Sequence, residues 1–380
     1  MHDKIAWIIK HVPIIQWLYQ KIMSLFFKFI GYFYKVDNNL ILFSSYGGDQ
    51  YSDSPKVLFE TIKNDPRFVG FRYVWAFSDP DKFDVANADK VKIDTFAYFK
   101  TALQAKIWIT NVNIERGLHF KKKNQIYLNT WHGTGPKACG NGIKGRKDYD
   151  FSYVDIICVD GKHSRNLMIN SFNALDSHLI YSGRPREDEL YYFSDDTTKH
   201  VRSILNIPQD KKVLLYMPTW REHGNLELSK ELWETNLSDN YVMLVRSHHF
   251  MKNSIATTDC NFWIDVSSYP NVNELYWIAD ILISDYSSAF FDYGLLAKPM
   301  ICFAYDYDEY VKQTGLIMNL KDEFPSGIKS TEDEVIHHIQ VLDYKEESLK
   351  TKDYINSYLS RGNNATSMCI ERIVELLRGE

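Results

Sequence analysis

Cysteine is scarce in this chain of 380 residues, and what there is does not pair. The five cysteines, Cys139, Cys158, Cys260, Cys302 and Cys369, are odd in number and scattered, and none belongs to a Cys-x-x-Cys unit. That argues against a disulfide framework and a zinc site and fits a reducing compartment. A P-loop, a Gly-x-Gly-x-x-Gly fingerprint and an RNA-binding signature are also missing, as are internal repeats and low-complexity tracts. No pair of carboxylates with glycosidase logic stands out. The formal net charge of −5 excludes a molecule-wide attraction to polyanions, so any hold on phosphates or lipid headgroups has to come from local patches. Nucleic acid is not an expected partner. No cofactor or metal site is identifiable, and a metal requirement stays open. No uncharged run reaches the ~18 residues of a spanning helix, and no compact apolar core leads to a small-residue cleavage site. Neither a transmembrane anchor nor a secretory signal is expected.

Aromatic side chains, by contrast, make up 15% of the chain, and they crowd the first 36 residues. Between Lys4 and Lys35 no acidic residue occurs, while Trp7, Trp17, Phe26, Phe27, Phe29, Tyr32 and Phe33 do. Lys10, Lys21, Lys28 and Lys35 fall in one narrow sector of a helix turning about 100° per residue. Pro13 kinks that helix or marks the start of its main part. A lysine edge on an aromatic body suits a membrane interface; the alternative is a helix packing its apolar face on the protein's own core.

From Asn38 the pattern turns to alternating strand and helix. Short apolar runs at 40–44, 71–77, 105–111, 125–130, 154–159 and 178–181 read as strands. After a polar stretch at 194–200 a second series follows at 213–217, 241–245, 262–265, 281–284 and 299–303, with helices at 271–279 and 288–296. Repeated βα units imply parallel sheets. The expected fold class is α/β: an amphipathic membrane-associating segment (1–36), then two doubly wound domains (37–195 and 196–380) facing a cleft. The last helix, near 365–377, is a candidate to pack back across the junction. Sites in such folds lie at the carboxyl ends of strands.

Four segments sit at strand ends and a fifth at the domain junction. In Thr130-Trp131-His132-Gly133-Thr134-Gly135-Pro136-Lys137 a strand runs into a loop whose glycines let backbone approach a ligand. His132 there can take a proton from an attacking hydroxyl near neutral pH, or be a histidine bonded to a neighbouring carbonyl. In Ser284-Asp285-Tyr286-Ser287-Ser288 the hydroxyls and free amides of a helix start make an anion site, although an ordinary N-cap by Ser287 or Asp285 would look the same. In Arg246-Ser247-His248-His249, Arg246 and His248 share one side of an extended segment and can hold phosphate oxygens; a surface salt bridge is the bland alternative. Arg221, in Pro218-Thr219-Trp220-Arg221, is placed to reach a phosphate. Arg186, in Gly183-Arg184-Pro185-Arg186-Glu187-Asp188, either contacts ligand or orients the hinge. Basic runs at Lys121-Lys122-Lys123 and Lys144-Gly145-Arg146-Lys147 are ordinary solvated faces or contacts for a polyanionic acceptor.

In order along the chain, Tyr51-Ser52-Asp53-Ser54-Pro55-Lys56, Trp131-His132-Gly133-Thr134, Pro185-Arg186, Pro218-Thr219-Trp220-Arg221, Arg246-x-His248, Ser284-Asp285-Tyr286-Ser287-Ser288 and Lys298-Pro299 with Tyr305-Asp306 resemble the CDP-glycerol glycerophosphotransferase family of teichoic-acid and capsule synthesis. The likeness runs from about Asn39 to the C-terminus. It implies a GT-B-like fold working peripherally at the cytoplasmic face of the membrane. It also implies attack of a hydroxyl of a lipid-linked acceptor on the β-phosphate of CDP-glycerol, with release of CMP. Carried over, His132 is the base, and His248 with Arg246 binds the pyrophosphate. Ser287 and Ser288 cradle donor phosphates, Asp285 shapes their loop, and Arg221 and Arg186 stand on the donor side. Thr134 and Lys137 stand on the acceptor side. The chain departs from the family pattern at Gly135, Glu187, Thr314 and the Arg361-Gly362-Asn363-Asn364 segment, which bears on the polyol and the acceptor. CDP-ribitol as donor, a sugar-nucleotide glycosyltransferase on the same fold and a non-catalytic scaffold are the competing readings.

Overall fold

The computed structural model describes residues 13–221, 226–246, 262–359 and 364–379. The first sheet contains β1 (Asp37–Ser44), β2 (Arg72–Phe77), β3 (Asp89–Lys92), β4 (Ala105–Thr110), β5 (Ile126–Asn129), β6 (Ile156–Cys158) and β7 (Leu179–Ile180). The second contains β8 (Lys212–Met217), β9 (Tyr241–Val245), β10 (Trp263–Asp265), β11 (Ile281–Ser284), β12 (Met300–Phe303) and β13 (Ile328–Lys329). Every pairing in both sheets is parallel. The orders are β3-β2-β1-β4-β5-β6-β7 and β10-β9-β8-β11-β12-β13. In each the order reverses beside the first strand, between β1 and β4 and between β8 and β11, and the crevice outside such a reversal is where doubly wound folds take ligands.

The apolar runs follow from burial on both faces. Along β1, Leu40 and Leu42 face a core with Trp108 and Tyr127, while Ile41 and Phe43 face another with Trp75 and Leu128. The second sheet is likewise flanked by two cores, one holding Leu215, Leu244 and Tyr286, the other Leu214, Val245 and Ile283. β3 and β13 were not among the expected strands. In β3 only Val91 is buried, and β13 is two residues long, so neither edge strand carries an apolar run. The final helix, Ala365–Arg378, packs Cys369, Ile370, Ile373 and Val374 on the first sheet's core. Asp188, on the segment joining the two sheets, accepts its Ala365 and Thr366 amides at 3.0 and 2.7 Å, capping a dipole end with a carboxylate.

Helix Pro13–Gly31 rests on the first domain along one edge. Phe27 stacks on Phe99 at 4.3 Å, and Ser24 Oγ accepts the His119 amide at 3.0 Å. The rest of its surface is open: Trp17, Leu18, Ile22, Leu25, Phe26, Phe29, Lys21 and Lys28 are all exposed, as are Tyr32 and Phe33 beyond its end. Among the described residues no helix is long and apolar enough to cross a membrane. The basic runs are partly engaged within the fold: Lys121 pairs with Asp155, Lys122 donates to the Tyr34 carbonyl and Arg146 pairs with Asp148.

Candidate active site

At the end of β5, Asn129 steers the chain. Its Oδ1 accepts the Trp131 amide at 2.8 Å and its Nδ2 donates to the Val112 carbonyl at 2.7 Å. Trp131 takes a left-handed φ of 51° and buries its ring against Phe172, centroids 4.5 Å apart. That turn sets His132 with Nδ1 2.7 Å from the Asn111 carbonyl. A carbonyl only accepts, so Nδ1 carries the hydrogen and Nε2 keeps its lone pair. Burial pulls the imidazole pKa below its usual value, and the Asn111 bond and the Asp53 charge only partly restore it.

The next residues meet the elements around the second sheet. Gly133 has φ 141°, and a Cβ there would lie 2.6 Å from Ser288 Oγ; at Gly135 it would lie 3.0 Å from the Ser288 amide nitrogen. Both glycines are therefore used for a close approach between the His132 loop and the start of helix Ala289–Gly294. Thr134 is turned inward instead, its Oγ1 accepting from Arg184 Nη2 at 2.7 Å. Arg184 is itself buried against Asp160 and Glu187. Lys137 lies farther along, where its backbone bridges to Leu316; its side chain is not among those lining the cleft.

On the donor side, Arg246 follows β9 and donates from Nη1 to the carbonyls of Val266 and Tyr269, at 3.0 and 2.7 Å. Burial lowers its pKa, against the weaker opposing pull of Tyr276 and Tyr46. Ser287 Oγ accepts the Ala289 amide at 3.1 Å, and Ser288 faces the cleft beside it. Asp285 is buried: Oδ1 accepts the Thr219 and Tyr286 amides at 2.8 and 2.7 Å, and Oδ2 pairs with Arg221 at 2.8 Å. It shapes the loop from within.

Two expected phosphate ligands are spent on carboxylates. Arg221 bridges Asp285 and Asp306, 2.6 Å to the latter, and lies over the rings of Tyr305, Tyr286 and Tyr310. Arg186 donates from Nη1 to Asp53 Oδ2 at 2.5 Å and to the His132 carbonyl at 3.0 Å, and from Nη2 to Asp292 at 2.9 Å. His248 lies outside the described residues. The cleft encloses about 1230 Å³, with His132, Tyr46 and Arg186 on one wall and Arg246, Ser287, Ser288 and Asp292 on the other.

Sequence reasoning had not singled out Tyr46, Asn111 or Asp292 and had given Asp53 no role. Asp53 stood within a recognised segment, and Asn111 closes an apolar strand with a polar residue. Asp292 sits in an apolar helix with no local signal. Burial raises the Asp292 carboxyl against the pull of Arg186.

Two doubly wound sheets with a histidine on one wall of the intervening cleft and an arginine and a helix start on the other define a GT-B-like protein. The sequence profile of the family described as CDP-Glycerol:Poly(glycerophosphate) glycerophosphotransferase matches residues 26–374, and the chain belongs to that family. It is 33% identical over 363 residues to a teichoic acid poly(glycerol phosphate) polymerase of Staphylococcus epidermidis, covering 88% of this chain and half (50%) of the relative's length. It is 32% identical to a teichoic acid glycerol-phosphate transferase of Staphylococcus aureus, covering 81% of this chain and 85% of that one. A solved structure of a variant of the wall teichoic acid polymerase TagF, soaked with CDPG, superposes with a TM-score of 0.80 at 30% identity, covering 90% of both chains.

Proposed function

We propose that the chain transfers glycerol phosphate from CDP-glycerol to a hydroxyl of a lipid-linked acceptor in teichoic acid synthesis, releasing CMP. The observation that carries this reading is the tautomer of His132: with Nδ1–H held by the Asn111 carbonyl, Nε2 is free to take a proton in the cleft that also holds Arg246, Ser287 and Ser288. The acceptor oxygen attacks the β-phosphorus as His132 Nε2 removes its proton. The new P–O bond forms as the bond from the β-phosphorus to the bridging oxygen breaks, and that electron pair leaves on CMP. Arg246 offsets charge building on the phosphoryl oxygens, Ser287 and Ser288 hold the donor phosphates at the helix start, and His132 gives its proton to solvent. Glycerol is preferred to ribitol as the polyol because the relatives reported above are glycerol-phosphate enzymes.

The same reading places the chain peripherally at the cytoplasmic face of the membrane. Its support is helix Pro13–Gly31, whose open aromatic surface and exposed Lys21 and Lys28 suit an anionic lipid interface. The test of the chemistry is CMP release by His132→Ala, expected to fall by roughly 10²- to 10⁴-fold. The acidic limb of the parent kcat/KM profile is expected below pH 6.5, because burial lowers the His132 pKa. Unchanged CMP release in the variant contradicts the general-base assignment.

A further inference from the structure

Arg186 belongs to the segment between the two sheets, and its guanidinium joins a carboxylate from each domain. Nη1 reaches Asp53 in the first domain and the His132 carbonyl, and Nη2 reaches both oxygens of Asp292 in the second, at 3.1 and 2.9 Å. Asp53 is built in from every side. Its backbone takes a left-handed φ of 63°, and its carboxylate accepts the Tyr46 hydroxyl at 2.7 Å and its neighbour's amide, Ser54 N, at 2.6 Å. Tyr46 in turn donates its amide to Asn111 Oδ1 at 2.8 Å, so the residue whose carbonyl orients His132 also anchors the partner of Asp53. A left-handed, buried aspartate held by three donors is a costly arrangement that persists where surrounding structure enforces it.

We propose that Asp53 and Asp292, acting through Arg186, are positioning residues that make His132 an effective base only while the two domains are apposed. The inference rests on the reading of His132 as the base. The imidazole becomes a cation as it takes the acceptor proton. Asp53 favours that charge, and Arg186 opposes it. Asp292 neutralises Arg186 from across the cleft, so withdrawal of the second domain leaves the guanidinium less compensated and His132 a weaker base. Proton removal is thereby tied to the closure that expels water from the reacting groups. Among the described residues, Tyr46 also packs against His132, Arg184 also acts on its charge, and Arg246 lines the same cleft. Arg184 also opposes the cation, but it is already paired within its own domain to Asp160 and Glu187. Burial works to raise the Asp53 carboxyl, but Arg186, Tyr46 and the Ser54 amide outweigh it, so Asp53 stays charged. Burial and the nearby Glu187 push the Asp292 carboxyl up to about 7 against the pull of Arg186, so its compensation of the guanidinium weakens as pH falls through that value and its variant is the smaller perturbation.

The test combines a kcat/KM pH profile with a ¹³C-histidine NMR titration of the full chain, the His132 resonance being assigned by its loss in His132→Asn. Asp53→Asn is expected to move the His132 titration to lower pH and the acidic limb of kcat/KM with it, and to lower the plateau by roughly 10- to 100-fold. Asp292→Asn is expected to move both in the same direction by less, and it carries the test alone should Asp53→Asn not fold. A role in packing only would lower activity without moving either titration, and that result in both variants overturns the proposal. Turnover retained by His132→Asn overturns the base assignment itself, a failure distinct from an unmoved His132 titration in an enzyme that His132→Asn inactivates.

Discussion

A methyl group at Gly133 would wedge the cleft at the point where its two walls meet. The Cβ would lie 2.6 Å from Ser288 Oγ and 2.9 Å from Ser288 Cβ, on a backbone with φ +141°. The backbone alone costs about 1–3 kcal/mol, and the steric part must be relieved by moving Ser288 and the helix start behind it. A displacement of about 1 Å between reacting groups is expected to cost on the order of 10²-fold in rate. The two costs separate in a double-mutant cycle read by urea denaturation. Gly133→Ala combined with Ser288→Gly removes both close atoms and leaves Arg186 Nη2 at 3.7 Å, an ordinary contact. A favourable coupling of about 0.5–3 kcal/mol is expected, with the backbone cost remaining. CMP release supplies the second readout: Gly133→Ala should be strongly impaired even where it is folded. A Gly133→Ala protein as stable and active as the parent would refute the reasoning, as would a cycle with no coupling.

Arg221→Ala is expected to lower stability by about 3–5 kcal/mol, because it strands Asp285 and Asp306 as partly or wholly buried carboxylates; unchanged urea denaturation with only a raised KM would contradict this. Trp17→Glu with Phe29→Glu, both on the open surface of helix Pro13–Gly31, should weaken binding to anionic vesicles at least about tenfold while leaving the fold intact, and binding equal to the parent's would assign that surface another role. Glu115→Gln should flatten the pH dependence of stability. Burial pushes the Glu115 carboxyl up to about 7, whereas an unfolded glutamate titrates near about 4.3. Between those values the folded chain keeps a proton the unfolded chain has given up, so stability falls as pH rises through the window. A parent and variant that lose the same stability between pH 5 and pH 8 would exclude this.

The sheets were legible because strand segments buried on both faces are apolar runs, as Leu40–Phe43 of β1, Ile107–Ile109 of β4 and Ile281–Ile283 of β11 are. β3 and β13 were not, since an edge strand with one or no buried side chain leaves no such trace. For the site, strand-end position identified His132, Arg246, Ser287 and Ser288, which do line one cleft. The same rule singled out Arg186 and Arg221 but could not say what they face, and Arg221 is not among the residues lining the cleft. Their partners Asp292 and Asp306 lie 106 and 85 residues away in sequence, and only the folded chain brings them close. Thr134 is a similar case, since its inward turn depends on Arg184, 50 residues on. Helix Pro13–Gly31 has a core-facing edge at Ser24 and Phe27 and a wide open surface, a combination that periodicity alone presents as two competing alternatives.

The most direct test is mass analysis of the products formed when the full chain is offered CDP-glycerol and CDP-ribitol with a lipid-linked disaccharide acceptor. The account predicts an acceptor extended by glycerol phosphate with CMP released in equal amount, and loss of both in His132→Ala. An acceptor extended by a sugar with release of a nucleoside diphosphate, or extension only from CDP-ribitol, would contradict it.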